Sequence, residues 1–173
     1  MGNQSQGIKT TGGSRLQRGT TSSGREAIVT PRPDQFEDLH RLDRDSFPKA
    51  ESYTYFYLRQ LFDVFRRDFM VLARDDRLLG YVLTVRNSSE DLATIMSLCV
   101  APDLRGHGYG RTLLSAAAQH AHDLGAKRVT LMVKPDNDPA VRLYREFGFV
   151  LVQRHPAHFG PGQDRDEMRL ELT

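Results

Sequence analysis

The sequence predicts an α/β fold of the α+β kind, with elements in the order β-α-α-β-β-β-α-β-α-β-β. Three observations lead there. Apolar residues alternate in some runs and recur at helical spacing in others. Two β-rich runs meet at the polar turn Asp75-Asp76-Arg77, a hairpin signal. A glycine-rich turn, Arg105 to Gly110, then joins an apolar strand-like run to a long helical stretch.

Taken in order, Glu26–Thr30 reads as the first strand. Pro33 or Asp34 opens a helix whose apolar face is Phe36, Leu39 and Leu42, reaching Phe47, and Phe47-Pro48 breaks it. A second helix over about Tyr53–Arg66 turns Leu58, Leu61, Phe62 and Phe65 inward. Phe69–Arg74 and Leu78–Arg86 are the hairpin strands. Asn87–Asp91 is a second polar turn, followed by the strand 92–101. Past the glycines, Leu113, Leu114, Ala117, Ala118, Ala121 and Leu124 define a helix over 108–124. The run 128–133 is β-branched and apolar, a strand. Asp136 or Asn137 caps the helix 137–147, Pro139 suits its first turn, and Gly148 fits its left-handed end. A strand at 149–154, a loop and the strand Asp166–Leu172 complete the order.

At 173 residues, 39% hydrophobic and 27% charged, the chain has the makings of one soluble globular domain with a proper core. Residues 1–25 are expected to be a flexible basic tail, rich in Gly, Ser, Thr, Gln and Arg, ahead of a domain at 26–173. The net charge of +2 argues for no nucleic-acid partner. Residues 1–32 carry +4, which leaves the body at −2. The single cysteine, Cys99, excludes an internal disulfide and suits a reducing cytoplasm. No run has the length of a membrane-spanning helix, and the N-terminus has no apolar signal core.

The chemistry is announced by Arg105-Gly106-His107-Gly108-Tyr109-Gly110. Glycines let the backbone approach a ligand, and the first N–H groups of the following helix are unpaired and partially positive. A phosphate or pyrophosphate fits such a cradle. The P-loop pattern fails because no lysine lies here, and the dinucleotide fingerprint fails because the spacing is Gly-x-Gly-x-Gly. What remains is Arg/Gln-x-x-Gly-x-Gly/Ala, matched by Arg105, Gly108 and Gly110, or an ordinary strand-to-helix turn.

A second cluster decides between those two. After the strand Val129-Thr130-Leu131-Met132-Val133 comes Lys134-Pro135-Asp136-Asn137-Asp138-Pro139-Ala140-Val141-Arg142-Leu143-Tyr144-Arg145-Glu146-Phe147-Gly148-Phe149. With both segments in place, residues 26–173 resemble the GNAT superfamily of acyl-CoA N-acyltransferases, and are similar to its ribosomal-protein and peptide N-terminal alanine acetyltransferases. The resemblance implies a central, mixed, mostly antiparallel sheet of six to seven strands flanked by four helices. It also implies two parallel strands, 92–101 and 128–133, that splay apart at the cofactor site.

The same resemblance implies the site. The acetyl-CoA pantetheine arm would pair with the backbone of Leu98, Cys99 and Val100, helped by a bulge near Ser97–Leu98. Pyrophosphate would sit on the N–H groups of Gly106, His107, Gly108, Tyr109, Gly110 and Arg111. Arg105 either adds charge at the loop entrance or bridges loop and strand. Asn137, with Ala140 one turn on, would meet the pantetheine arm, and Asn137 can also serve as a helix cap. Tyr144 matches the family tyrosine near the thioester sulfur, a general acid; the plainer reading is an aromatic packing the last helix.

The chain departs from its relatives at the base. Thr94 and Met132 stand where relatives carry a proton acceptor, and neither can take a proton at neutral pH. A water chain, a hairpin histidine or a low-pKa amine could serve instead. An α-amine titrates near 7.7–8.0 and a lysine near 10.4, which favours an N-terminal amine as acceptor. Phe47, Tyr53, Tyr55 and His158 are the candidate acceptor-binding residues, from the aromatic-rich second helix, its entry loop and the final hairpin. His155 and His158 have a spacing seen in metal sites, but no metal is expected. Cys99 reads as a buried structural thiol. The expected activity is direct transfer of acetyl from acetyl-CoA to a primary amine in a ternary complex, in a monomer or homodimer without nucleic-acid or membrane partners. The alternatives are a small-molecule acceptor (polyamine, amino acid or antibiotic) and a non-catalytic acyl-CoA sensor.

Overall fold

A computed structural model describes residues 24–87 and 90–173, so most of the expected N-terminal tail lies outside the described residues. Seven strands form one sheet in the order β1-β2-β3-β4-β5-β7-β6. They are β1 (Glu26–Val29), β2 (Phe69–Arg74), β3 (Arg77–Asn87), β4 (Leu92–Val100), β5 (Arg128–Val133), β6 (Val150–His155) and β7 (Arg165–Glu171). The helices are α1 (Phe36–Ser46), α2 (Tyr55–Phe65), α3 (Tyr109–Asp123) and α4 (Asp138–Phe147). Every pairing is antiparallel except β4 with β5, which a helical crossover through α3 makes parallel. No described helix is long and apolar enough to cross a membrane.

Element boundaries move where capping overrides periodicity. The second helix starts at Tyr55 because Thr54 caps it, its hydroxyl accepting the Tyr57 N–H at 3.3 Å. Tyr53 is thereby left in the entry loop. A single 3-10 turn over Pro33–Gln35 precedes α1.

The sheet buries both faces. Leu72, Val82, Ala93, Ile95, Val100, Val129, Leu131 and Met168 pack under α3 and α4 through Leu113, Leu114, Ala117 and Tyr144. Phe69, Val71, Tyr81, Leu83, Cys99 and Ala101 pack under α1 and α2 through Phe36, Leu39, Leu58 and Phe62. The second layer covers only the β2–β4 half of its face; β6 runs exposed along the far edge.

Gly80 shows how closely β3, β4 and α3 approach. A Cβ there would lie 2.7 Å from the Cys99 carbonyl oxygen and 3.0 Å from Leu113 Cδ1. Backbone cannot retreat as a side-chain tip can. Gly80→Ala is therefore expected to cost about 1–3 kcal/mol of unfolding free energy, read as a lower urea midpoint.

Candidate active site

The site begins where the parallel pair ends. β4 and β5 share four register pairs, from Leu92 with Arg128 to Ile95 with Leu131. Beyond them β4 runs on to Val100 still paired to β3, while β5 turns to β7, so the strands part. The register of β4 against β3 slips at the same place: Thr84 faces Ile95, Leu83 faces Ser97, and Met96 is extra. The bulge is thus one residue earlier than the expected Ser97–Leu98. Tyr53 donates its hydroxyl to the Met96 carbonyl at 2.9 Å, which holds the entry loop of α2 against the bulge. The β4 edge over Leu98, Cys99 and Val100 that faces away from β3 has no ladder partner among the described residues.

At the end of β4 the glycine loop forms an amide cradle. Gly106 and Gly108 have φ of +82° and +85°, and a Cβ at either would meet nothing within 4 Å. The conformation requires glycine, and the space above it is open. Among the described residues, the N–H groups from Gly106 to Gly110 donate to no backbone acceptor, whereas that of Arg111 donates to Gly108 O at 3.0 Å. Arg111 therefore closes the first helical turn rather than adding a free amide. Gly110 serves the packing of helices instead. Its Cβ position lies 2.9 Å from Leu143 Cδ2, so its smallness lets α3 pack on α4.

The side chains of the loop are tied down. Arg105 donates to Ser46 O at 2.5 Å and Val100 O at 3.4 Å, which is the bridging role of the two read from sequence. The Tyr109 hydroxyl donates to Glu26 at 2.6 Å and accepts from Arg74 at 3.0 Å. Glu26 also accepts from Arg74 directly, and its bonds, that of Tyr109 first, hold the carboxyl below its usual range. The His107 ring sits 3.0 Å from Arg105 O.

Helix α4 packs against α3. Asn137 accepts the Ala140 N–H at 3.3 Å, so both residues already serve the cap, and the Asn137 amide NH₂ is the group left over. Tyr144 is 9% exposed and stacks 5.8 Å from Phe149. Its hydroxyl has no hydrogen-bond partner among the described residues. Desolvation pushes its pKa up to about 12. Such a phenol keeps its proton through the neutral range, so it can donate one and cannot act as a base.

In the ladders of β5, Thr94 lies beside Thr130 and Met132 beside Glu167. Thr130 donates to Met168 O at 3.1 Å. Glu167 accepts from His155 Nε2 at 3.0 Å and Arg169 at 3.2 Å, and these hydrogen bonds, His155 first, hold its carboxyl below the usual range. Lys134 ion-pairs with Glu51, joining the end of β5 to the entry loop of α2. His158 lies in the hairpin loop, 5.3 Å from the His155 ring and 4.5 Å from Phe159.

The aromatic candidates separate. Tyr53 stacks edge-on with Tyr57 at 5.3 Å beside the bulge, and burial raises its pKa. Tyr55 instead turns to α1, donating to Glu37 at 2.7 Å and meeting Phe36 at 5.2 Å. Phe47 packs against the α1–α2 core. Cys99 is 5% exposed, and burial lifts its thiol to about 12, too high for a nucleophile.

One group of the site is not among the residues that the sequence singles out. Asp43 of α1 is 0% exposed. Its carboxylate accepts the Tyr53 N–H at 2.8 Å and the Tyr81 hydroxyl at 2.5 Å, and Tyr81 in turn lies 2.9 Å from Ser97 Oγ. The available signal was its place at i+4 from Leu39, on the apolar stripe of α1.

A free strand edge that can pair with amides and an amide cradle at its end suit a ligand that carries both amides and a phosphate or pyrophosphate. The chain belongs to the acetyltransferase (GNAT) family, whose pattern matches residues 36–149, and members take their acetyl group from acetyl-CoA. A mycothiol acetyltransferase from Corynebacterium efficiens is 34% identical over 113 residues, covering 65% of this chain and 35% of the relative. The chain spans about a third of the length of such relatives. A Bacillus subtilis protein named as a [ribosomal protein bS18]-alanine N-acetyltransferase is 27% identical over 124 residues, 70% of this chain and 79% of that one. Among solved structures, Ard1 from Thermoplasma volcanium superposes with a TM-score of 0.77 at 24% identity, over 86% of this chain and 98% of that one. At that identity the likeness is one of fold.

Proposed function

We propose that this chain acetylates the N-terminal α-amine of a protein or peptide. The observation that carries the reading is the exposed β6–β7 hairpin: Phe159 is 63% exposed beside His158, an aromatic pair that an extended peptide could lie against. The lack of a proton acceptor at Thr94 and Met132 points the same way, toward an amine with a low pKa. So does the bS18-alanine relative, which the chain matches over most of its length.

The residues present suit acetyl-CoA. Open space over Gly106 and Gly108, unpaired amides from Gly106 to Gly110 and an unpaired edge along Leu98–Val100 are what a pyrophosphate and an amide-bearing arm need. Gly106 to Gly110 would hold the pyrophosphate, the Leu98–Val100 edge and the Asn137 amide the arm. Bound acetyl-CoA supplies the thioester carbonyl that an amine attacks and the thiolate that leaves. Tyr144, kept protonated by burial, would supply a proton to the departing sulfur. Tyr53 and Tyr57 line the acceptor side and orient the amine.

A second reading is a small-molecule amine, favoured by the mycothiol relative and by a streptothricin acetyltransferase from Streptomyces lavendulae, 36% identical over 87 residues. Thiol release from acetyl-CoA, measured against peptides of varied N-terminus and against small amines, separates the two. Turnover on the peptide panel, blocked when the N-terminus is formylated, is expected. Turnover on small amines alone would reverse the assignment.

A further inference from the structure

We propose that Ser97, Tyr81 and Asp43 form the proton-accepting relay of this site, replacing the base absent at Thr94 and Met132. The proposal rests on the amine-acetylating reading above. It starts from a buried carboxylate that ties α1 to the entry loop of α2 and to β3. Asp43 is 0% exposed, and among the described residues it has no ion-pair partner. A buried carboxylate without a cation is costly, and a hydrophobic side chain on the apolar stripe of α1 would cost nothing of the kind.

The hydrogen bonds from Asp43 run in one direction. Oδ2 is fixed by the Tyr53 N–H at 2.8 Å. Oδ1 accepts from Tyr81 Oη at 2.5 Å, and Tyr81 Oη lies 2.9 Å from Ser97 Oγ. Asp43 and Tyr81 are both 0% exposed, whereas Ser97 is 9% exposed. Ser97 is thus the least buried of the three, and it lies immediately past the Met96 bulge where β4 and β5 part.

An ionised Asp43 can only accept, so Tyr81 donates to it and Ser97 donates to Tyr81. That order leaves the lone pairs of Ser97 Oγ as the acceptor at the β4 end of the relay. Transfer proceeds by three linked hops. The acceptor ammonium gives its proton to Ser97 Oγ, Ser97 gives its own to Tyr81 Oη, and Tyr81 gives its own to Asp43 Oδ1. The amine lone pair is freed, Asp43 becomes a neutral carboxyl, and only N–H and O–H bonds change. Reverse hops return the proton to water in the groove.

The surroundings suit a carboxyl that must take a proton. Around Asp43 lie His40 and Ser46 of α1, Tyr53 of the loop, Tyr81 of β3, Ser97 and Cys99 of β4, and Arg105, whose guanidinium is bonded to Ser46 O. Desolvation is the largest influence and raises the Asp43 pKa, against the hydrogen bonds from Tyr81 and Tyr53 and the charge of His40. By contrast, the Glu167 carboxylate is already compensated by His155 and Arg169, and it lies on β7, a strand beyond β5.

The test compares Ser97→Ala, Tyr81→Phe and Asp43→Asn with wild type, using thiol release with a peptide the wild type acetylates. With the relay, kcat/KM changes little below the ionisation of the amine near about 8; without it, the rate follows the free amine and falls about tenfold per pH unit. The variants should therefore lag by about 100-fold near pH 6 and recover near pH 9. Acetyl-CoA affinity by calorimetry should stay within about threefold of wild type, because no relay residue belongs to the cradle. A deficit equal at every pH, or profiles that superimpose on wild type, overturns the relay. Ser97→Ala, which removes a single hydroxyl, carries the result if the other two variants fold poorly. A wild type that turns over no amine overturns the function instead. The relay is then read from the Asp43 carboxyl carbon by NMR: titration with a midpoint that moves in Ser97→Ala supports it, and a carboxyl ionised throughout from about pH 4 to 9 overturns it.

Discussion

Replacing Gly108 with aspartate is expected to abolish acetyl-CoA binding while leaving the fold in place. Gly108 is the N-cap of α3 at φ +85°, and its Cβ position is open, so the new side chain meets no protein atom. Aspartate tolerates the left-handed region better than most residues, and the strain is of order 1–2 kcal/mol. The carboxylate, however, stands where an anion is to be received, competing for the same amides. A loss of at least about 100-fold in affinity, about 2.8 kcal/mol, should appear by calorimetry. Gly108→Asn carries the same bulk without charge and should lose much less. Rising salt should narrow the gap between the two. Affinity for acetyl-CoA within about threefold of wild type in Gly108→Asp would remove the cradle from the donor site.

Tyr144→Phe should lower kcat by about 100-fold with acetyl-CoA affinity almost unchanged. The hydroxyl has no hydrogen-bond partner among the described residues, so the fold loses little with it, and the ring keeps its contact with Phe149 at 5.8 Å. Its pKa is pushed up to about 12, so the phenol is protonated throughout the neutral range. The deficit should therefore be the same from about pH 6 to pH 9, because neither form of the enzyme titrates at this position there. Unchanged kcat would return Tyr144 to a packing role. A pH-dependent deficit would assign it to a different proton transfer from the one proposed.

Much of the fold was readable because each strand and helix carries its own period. Leu113, Leu114, Ala117 and Ala121 mark the buried face of α3 without help from any distant residue. What could not be read depends on contacts between elements. Ile95 and Met96 are both apolar, so nothing in their order betrays the register slip between them. Gly110 looks like a third glycine of the cradle, and only the approach of Leu143 from α4 shows its packing role. Arg105 allowed two readings until Ser46 O, 59 residues away in sequence, took its guanidinium. Asp43 sits in the stretch Asp43-Arg44-Asp45, which reads as a solvated helix face. Its partner Tyr81 lies 38 residues away on another element, and the period of α1 gave a hint only in hindsight.

The seam between β4 and β5 has a mechanical consequence. Seven strands make one sheet, yet the ladder between β4 and β5 has only four residue pairs, from Leu92 with Arg128 to Ile95 with Leu131, and the core under α3 and α4 supplies the rest of the join. β1 to β4 and their helical cover form one leaf, β5, β7 and β6 the other, with the open spine between them. A molecule that bonds to the bare edge of β4 while leaning on α4 acts as mortar in that spine. Its binding energy is then shared with the cohesion of the protein, so the unliganded enzyme should breathe about this line and the liganded one should melt as a single block.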